Sequence, residues 1–421
     1  MLVLAAVLLF SLLAAPASAQ PVWIMPSIKD PDFVVETFVS GIPSPTTMAF
    51  VGDDILVLQK NDGQVRLIRD GALQPAPVLD VSVANTQEQG MLGIAVVNST
   101  VYLYFTESAQ DGGEAEGRSV YKYDWTGSEL ANPVLVKDWN STRAYHNGGA
   151  MAVGPDRTVY LVVGDTGRYG QLQNHGPDST FYPDTSVIMP IAPEDPYHAM
   201  GVRNSFGLVF DPYTGRMWDT ENGDDDFDEI NLVEPYTNGG WELIMGPATE
   251  EQLARLPAYQ NYTYRDPVFS WEKTVAPTAL SFVRSEPLAK FDDSLFVGDC
   301  NTGRLYKFTL NQDRDGFVFD TPGLADSIAN RADPVDEIVF GQDFICITDI
   351  KVGPDGLLYV TSLVQNAIFR IVPNELAGGQ PAQLTVLQIA IYAGMAIAAG
   401  VAVYGVRRLR KRSGCRNLQS S

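Results

Sequence analysis

The chain has only three histidines in 421 residues, and an imidazole can take up a proton near neutral pH. His146 lies in Arg143-Ala144-Tyr145-His146-Asn147-Gly148-Gly149, where the paired glycines allow backbone to approach a ligand closely. The same segment also suits a purely structural histidine. A second segment, Gly201-Val202-Arg203-Asn204-Ser205-Phe206-Gly207, sets a guanidinium beside an amide. That pair fits an anionic or carbonyl ligand, and equally a surface ion pair. The densest acidic run is Glu221-Asn222-Gly223-Asp224-Asp225-Asp226-Phe227-Asp228-Glu229-Ile230-Asn231. Crowded hard oxygens favour a divalent cation such as Ca²⁺, with Gly223, Asp224, Asp228 and Glu229 as candidate ligands, although the spacing is not that of an EF-hand.

These segments are positioned by a recurring unit: an apolar strand, a turn carrying Gly, Asp or Pro, and a second strand rich in Tyr, Leu and Val. Six copies are legible, at 48–58, 93–105, 150–163, 207–219, 279–297 and 349–361. A strand pair of this kind cannot bury both faces alone, so the repeat predicts an all-β, six-bladed β-propeller with sheets packed radially around a channel. Longer spacings imply insertions at 170–199 and 236–270, where loops on a rigid scaffold can build a site.

Net charge is −22, which disfavours nucleic acid as a partner. Residues 1–19 form an apolar run ending in Ala17-Ser18-Ala19, which reads as a signal peptide without a basic n-region. Residues 384–406 are uncharged and about 23 long, enough to cross a ~30 Å hydrocarbon core. The basic tail 407–421 opens with Arg407-Arg408-Leu409-Arg410-Lys411-Arg412, and the positive-inside rule places it in the cytoplasm with the propeller outside. A linker, 374–383, joins propeller and helix. The sequons at Asn98, Asn140 and Asn261 agree with that side. A Cys300–Cys346 disulfide is compatible with an oxidising compartment, but spacing alone leaves it open.

The ordered series His146-Asn147-Gly148-Gly149, Gly154-Pro155-Asp156, Gly164-Asp165, Gly201-x-Arg203-Asn204-x-x-Gly207, Glu221-Asn222-Gly223, Asp228-Glu229-Ile230-Asn231 and Asn238-Gly239-Gly240-Trp241 resembles the soluble glucose/sorbosone (aldose sugar) dehydrogenase family over about 33–373. That family uses pyrroloquinoline quinone, PQQ. The resemblance implies His146 as the base for the sugar hydroxyl, Arg203 and Asn204 on the quinone oxygens, and Ca²⁺ held by backbone around Gly223 and Asp224. It further implies cofactor contacts from Asn147 and Glu88, and a cofactor-stacking segment at 271–277 that includes Trp271, Lys273 and Thr274. The chain departs from the family pattern at two stretches. Where some members carry a lysine and an Arg-x-Arg pair that neutralise the three PQQ carboxylates, this sequence reads Asp299-Cys300-Asn301-Thr302 and Cys346-Ile347-Thr348-Asp349, leaving Lys273 and Arg304 as candidate substitutes.

The leading expectation is a membrane-tethered oxidoreductase that oxidises the anomeric CH–OH of an aldose to a lactone and passes electrons to a respiratory acceptor. Loss of the basic contacts favours the alternative, a non-catalytic sugar- or protein-binding propeller resembling the hedgehog-interacting-protein type. A Ca²⁺-dependent lactonase ranks last, because its ligands would come from several blades rather than one acidic run.

Overall fold

A computed structural model describes residues 24–167, 184–191, 197–259 and 261–377. The expected signal peptide, membrane helix, basic tail and most of the linker lie outside these residues. Among the described residues, no helix is long and apolar enough to cross a membrane.

The described strands form six sheets. Their first strands are Pro45–Val51, Met91–Val97, Met151–Val153, Gly207–Phe210, Pro277–Phe282 and Ile347–Val352, and each packs against the first strand of the next sheet. The last of them packs against the first, so the ring closes as an all-β propeller. Each of the six sequence repeats coincides with the inner antiparallel pair of one sheet.

The recurrent turn has a local cause. The Asp156 carboxylate accepts the Thr158 N–H at 3.0 Å, and Asp355 and Asp211 do the same for Leu357 and Tyr213 at 3.1 and 2.9 Å. An aspartate that satisfies the backbone two residues on makes the turn self-sufficient.

The ring is also closed by strand pairing between the two ends of the domain. The early strand Phe33–Ser40 adds to the edge of Ala367–Pro373, so the sixth sheet is built from both ends of the domain. That pairing prevents the last sheet from peeling away.

The core lies between consecutive sheets rather than within one. Trp218, Ile230 and Phe269 of the fourth sheet meet Leu280, Leu295 and Phe308 of the fifth, and Phe296 of the fifth meets Ile350 and Phe369 of the sixth. Central strands such as Asp54–Gln59 are consequently buried on both faces.

Candidate active site

Down the axis runs a cavity of about 270 Å³, walled by apolar residues of the inner strands, including Ile94, Met151, Leu208 and Leu280. Its lining also includes Lys60, Glu88, Thr348 and both Cys300 and Cys346. The two cysteines are disulfide-bonded, linking the fifth sheet to the sixth.

His146 belongs to the segment entering the third sheet and has a left-handed backbone, φ 53°, an unusual conformation for a side-chain-bearing residue. Gly148 follows at φ +62°, where a Cβ would meet the Val162 carbonyl at 2.6 Å. Gly164 sits between two site segments: a Cβ there would lie 2.5 Å from the His146 carbonyl and 2.7 Å from that of Arg203. Here glycine permits the close approach of two backbones.

His146 Nδ1 lies 2.6 Å from Asp165 Oδ1. Asp165 is fully buried, and its Oδ1 also accepts the Gly167 N–H while its Oδ2 accepts the Trp241 indole N–H at 2.9 Å. A carboxylate fixed in this way holds a proton on Nδ1 and leaves Nε2 as the basic nitrogen. Among the described residues Nε2 has no hydrogen-bond partner, and the side chain keeps 15% exposure.

Arg203 stacks over the Trp241 ring at 5.3 Å and donates to the Asn222 carbonyl at 2.9 Å and to Asp224 Oδ1 at 3.1 Å. Asn204 Nδ2 donates to both Glu88 oxygens at 3.2–3.3 Å, and Glu88 Oε2 accepts the Asn147 backbone N–H at 3.3 Å. Glu88 thus ties the His146 segment, the Arg203 segment and the cavity wall together. Among the described residues, several buried polar atoms here lack hydrogen-bond partners: both side-chain polar atoms of Asn147, Oδ1 of Asn204 and Nε of Arg203. Leaving such groups unsatisfied is costly, and a polar ligand rich in carbonyl and carboxylate oxygens would answer several of them.

The structure therefore brings His146, Asn147, Glu88, Arg203, Asn204 and Asp224 into one region and revises other expectations. Trp271 is not a free stacking platform. It is buried in the core between the fourth and fifth sheets, 5.3 Å from the Tyr306 ring and 5.7 Å from that of Phe308. Lys273, at the end of the same strand, is exposed. Of the expected site residues only Glu88 lines the cavity; His146, Asn147, Arg203 and Asn204 adjoin it through Glu88, whereas Lys273, Thr274 and Arg304 make no contact of that kind among the described residues.

Within the acidic run, Asp228 accepts backbone N–H groups from Gly223, Val275 and Ala276 at 2.5–2.8 Å, and Glu229 accepts that of Gly246 at 2.6 Å and the Asn231 amide at 3.2 Å. Their oxygens serve the fold, which does not suit them as Ca²⁺ ligands. No group of three acidic, histidine or cysteine side chains suited to a metal occurs among the described residues. Burial pushes Asp228 up, and pushes Glu229 up to about 8. Asp165 and Trp241, which the sequence left without a role, complete the site.

Residues 42–370 match the family model described as Glucose / Sorbosone dehydrogenase. Aldose sugar dehydrogenase YliI of Escherichia coli K12 is 21% identical over 367 residues, covering 81% of this chain and 93% of that protein. The PQQ-bound aldose sugar dehydrogenase of Streptomyces coelicolor superposes with a TM-score of 0.61 at 22% identity, covering 82% and 99%. The PQQ domain of pyranose dehydrogenase from Coprinopsis cinerea gives 0.61 at 14% identity, covering 85% and 99%. With its family match spanning most of the sequence and the motif residues gathered at one site, the chain belongs to the glucose/sorbosone dehydrogenase family, oxidoreductases acting on the CH–OH groups of sugars.

Proposed function

We propose that this protein oxidises the anomeric CH–OH of an aldose to the lactone, with PQQ as cofactor, on the outer side of a membrane. The observation that carries the reading is His146, pinned at Nδ1 by buried Asp165 and open at Nε2. Nε2 takes the anomeric hydroxyl proton, and the Asp165 carboxylate stabilises the imidazolium that forms. PQQ, when bound, supplies the two-electron acceptor for the hydride leaving the anomeric carbon. Arg203 and Asn204 would hold its quinone oxygens, with Asn147 and Glu88 beside them. Main-chain oxygens at Gly223 and Asp224, the ligands the family resemblance implies, would hold Ca²⁺, while the Asp228 and Glu229 carboxylates are committed to backbone amides.

Outward placement is supported by the disulfide and by the exposure of all three sequon asparagines, Asn98, Asn140 and Asn261. The apolar segment 384–406 would tether the domain near a respiratory electron acceptor.

The second reading, a ligand-binding propeller without catalysis, is favoured by the disulfide that stands where basic cofactor contacts are expected. Dye reduction by the full-length protein with PQQ, Ca²⁺ and a panel of aldoses separates the two. Aldose-dependent turnover that His146→Ala abolishes supports the dehydrogenase. Folded, PQQ-loaded protein without turnover on any aldose favours the binding module.

A further inference from the structure

PQQ, the cofactor in the reading above on which this inference rests, carries three carboxylates, and its binding surface must supply positive charge. The stretches of the fifth and sixth sheets expected to do so contain no cation and are joined by the Cys300–Cys346 disulfide. Lys351 lines the cavity but pairs with Asp349 Oδ1 at 3.3 Å, and Arg203 is engaged by Asn222 and Asp224.

Lys60 differs from both. It follows the strand Asp54–Gln59 and lines the cavity together with Glu88. Its backbone is fixed: the N–H donates to the Ser44 carbonyl at 3.0 Å, and its own carbonyl accepts the Met91 N–H at 3.0 Å. The ammonium group, in contrast, reaches among the described residues only Asn61 Oδ1 and the Asn85 carbonyl, both at 3.5 Å, the long limit of a hydrogen bond. Among the described residues it has no carboxylate within ion-pair distance, whereas Lys351, the other lysine lining the cavity, has one. Burial lowers its pKa and the nearby Glu88 charge opposes that shift, so an arriving anion would relieve a partly desolvated cation.

We propose that Lys60 supplies the positive charge that meets a cofactor carboxylate at the cavity wall, in place of the fifth- and sixth-sheet positions that the disulfide occupies. The cation has thus moved around the ring to the first sheet, beside the Glu88 that organises Asn147 and Asn204.

The test is calorimetric titration of the full-length, cofactor-free protein with PQQ and with its trimethyl ester, which lacks the carboxylate charges. Lys60→Gln should weaken PQQ binding by about tenfold or more, the scale of one charge-assisted hydrogen bond, while Lys60→Arg stays close to wild type. Ester affinity should not respond to Lys60→Gln, and Lys273→Gln, outside the cavity, should change neither. Lys60→Met, which keeps the apolar stem, serves as the second neutral variant. Equal PQQ affinity in wild type and the folded neutral variants would overturn the assignment of Lys60 and leave the cofactor reading standing. Failure of wild type to bind PQQ at all would overturn both.

Discussion

His146 Nδ1 and Asp165 Oδ1 lie 2.6 Å apart, and the other oxygen of the same carboxylate accepts the Trp241 indole N–H at 2.9 Å. One buried carboxylate therefore sets the imidazole tautomer and is itself held by a third side chain. Arg203 stacks on that same indole, so the base and the cation share a support.

Asp165→Asn should reduce aldose turnover by roughly 10²–10⁴-fold, the range associated with loss of a positioned acid–base group. The amide can present its NH₂ to Nδ1 and force the proton onto Nε2. Steady-state dye reduction measures this, and turnover within threefold or so of wild type would show that Asp165 is only structural.

Trp241→Phe keeps a ring beneath Arg203 and removes the N–H to Asp165 Oδ2. A hydrogen bond to a charged group contributes about 1.5–3 kcal/mol, so turnover should fall about tenfold or more. Its signature is a fall in kcat with KM for the aldose little changed. A rise in KM alone would place Trp241 in sugar binding instead.

The fold was legible where a pattern repeats locally. Paired apolar strands marked all six inner strand pairs, and in two of them a Gly-Pro-Asp turn sharpened the signal, because Asp156 and Asp355 satisfy backbone only two residues away. The strand Phe33–Ser40 gave no comparable signal, since its partner Ala367–Pro373 lies at the other end of the domain. In the site, His146, Asn147, Arg203 and Asn204 could be read from their motifs. Asp165 and Trp241 could not be assigned, because their contacts span 19 and 76 positions. The acidic run showed its charges but not the backbone amides that occupy Asp228 and Glu229. Trp271 was misplaced because a motif does not say which face of a strand is core.

Asp219, Glu221 and Glu229 form a buried acidic group. Burial pushes Asp219 up to about 7 and Glu229 up to about 8, and burial with its two acidic neighbours raises Glu221 well above the usual range. The folded state therefore binds more protons than the unfolded chain between about pH 4 and pH 8, and folding becomes less favourable as pH rises through that window. Urea midpoints should be higher at pH 5.5 than at pH 8, with a smaller difference in Asp219→Asn. A midpoint that rises with pH would contradict this burial effect.

The Cys300–Cys346 bond closes a segment with a sequence separation of 46 and links two neighbouring sheets. Replacing both cysteines by serine should lower stability by roughly 2–4 kcal/mol. Urea unfolding of wild type with and without reductant, compared with the double variant, checks it. Identical midpoints in all three would mean that packing between the sheets suffices.

The central claim is that the open Nε2 of His146 serves oxidation at the anomeric carbon. Single-turnover reduction of PQQ-loaded, full-length protein by an aldose deuterated at C1, in wild type and His146→Ala, tests it most directly. The expected result is a several-fold slower phase with the deuterated sugar in wild type and loss of that phase in the variant. A reduction rate indifferent to the C1 isotope and to His146, or no sugar-dependent reduction in folded, loaded protein, would contradict it.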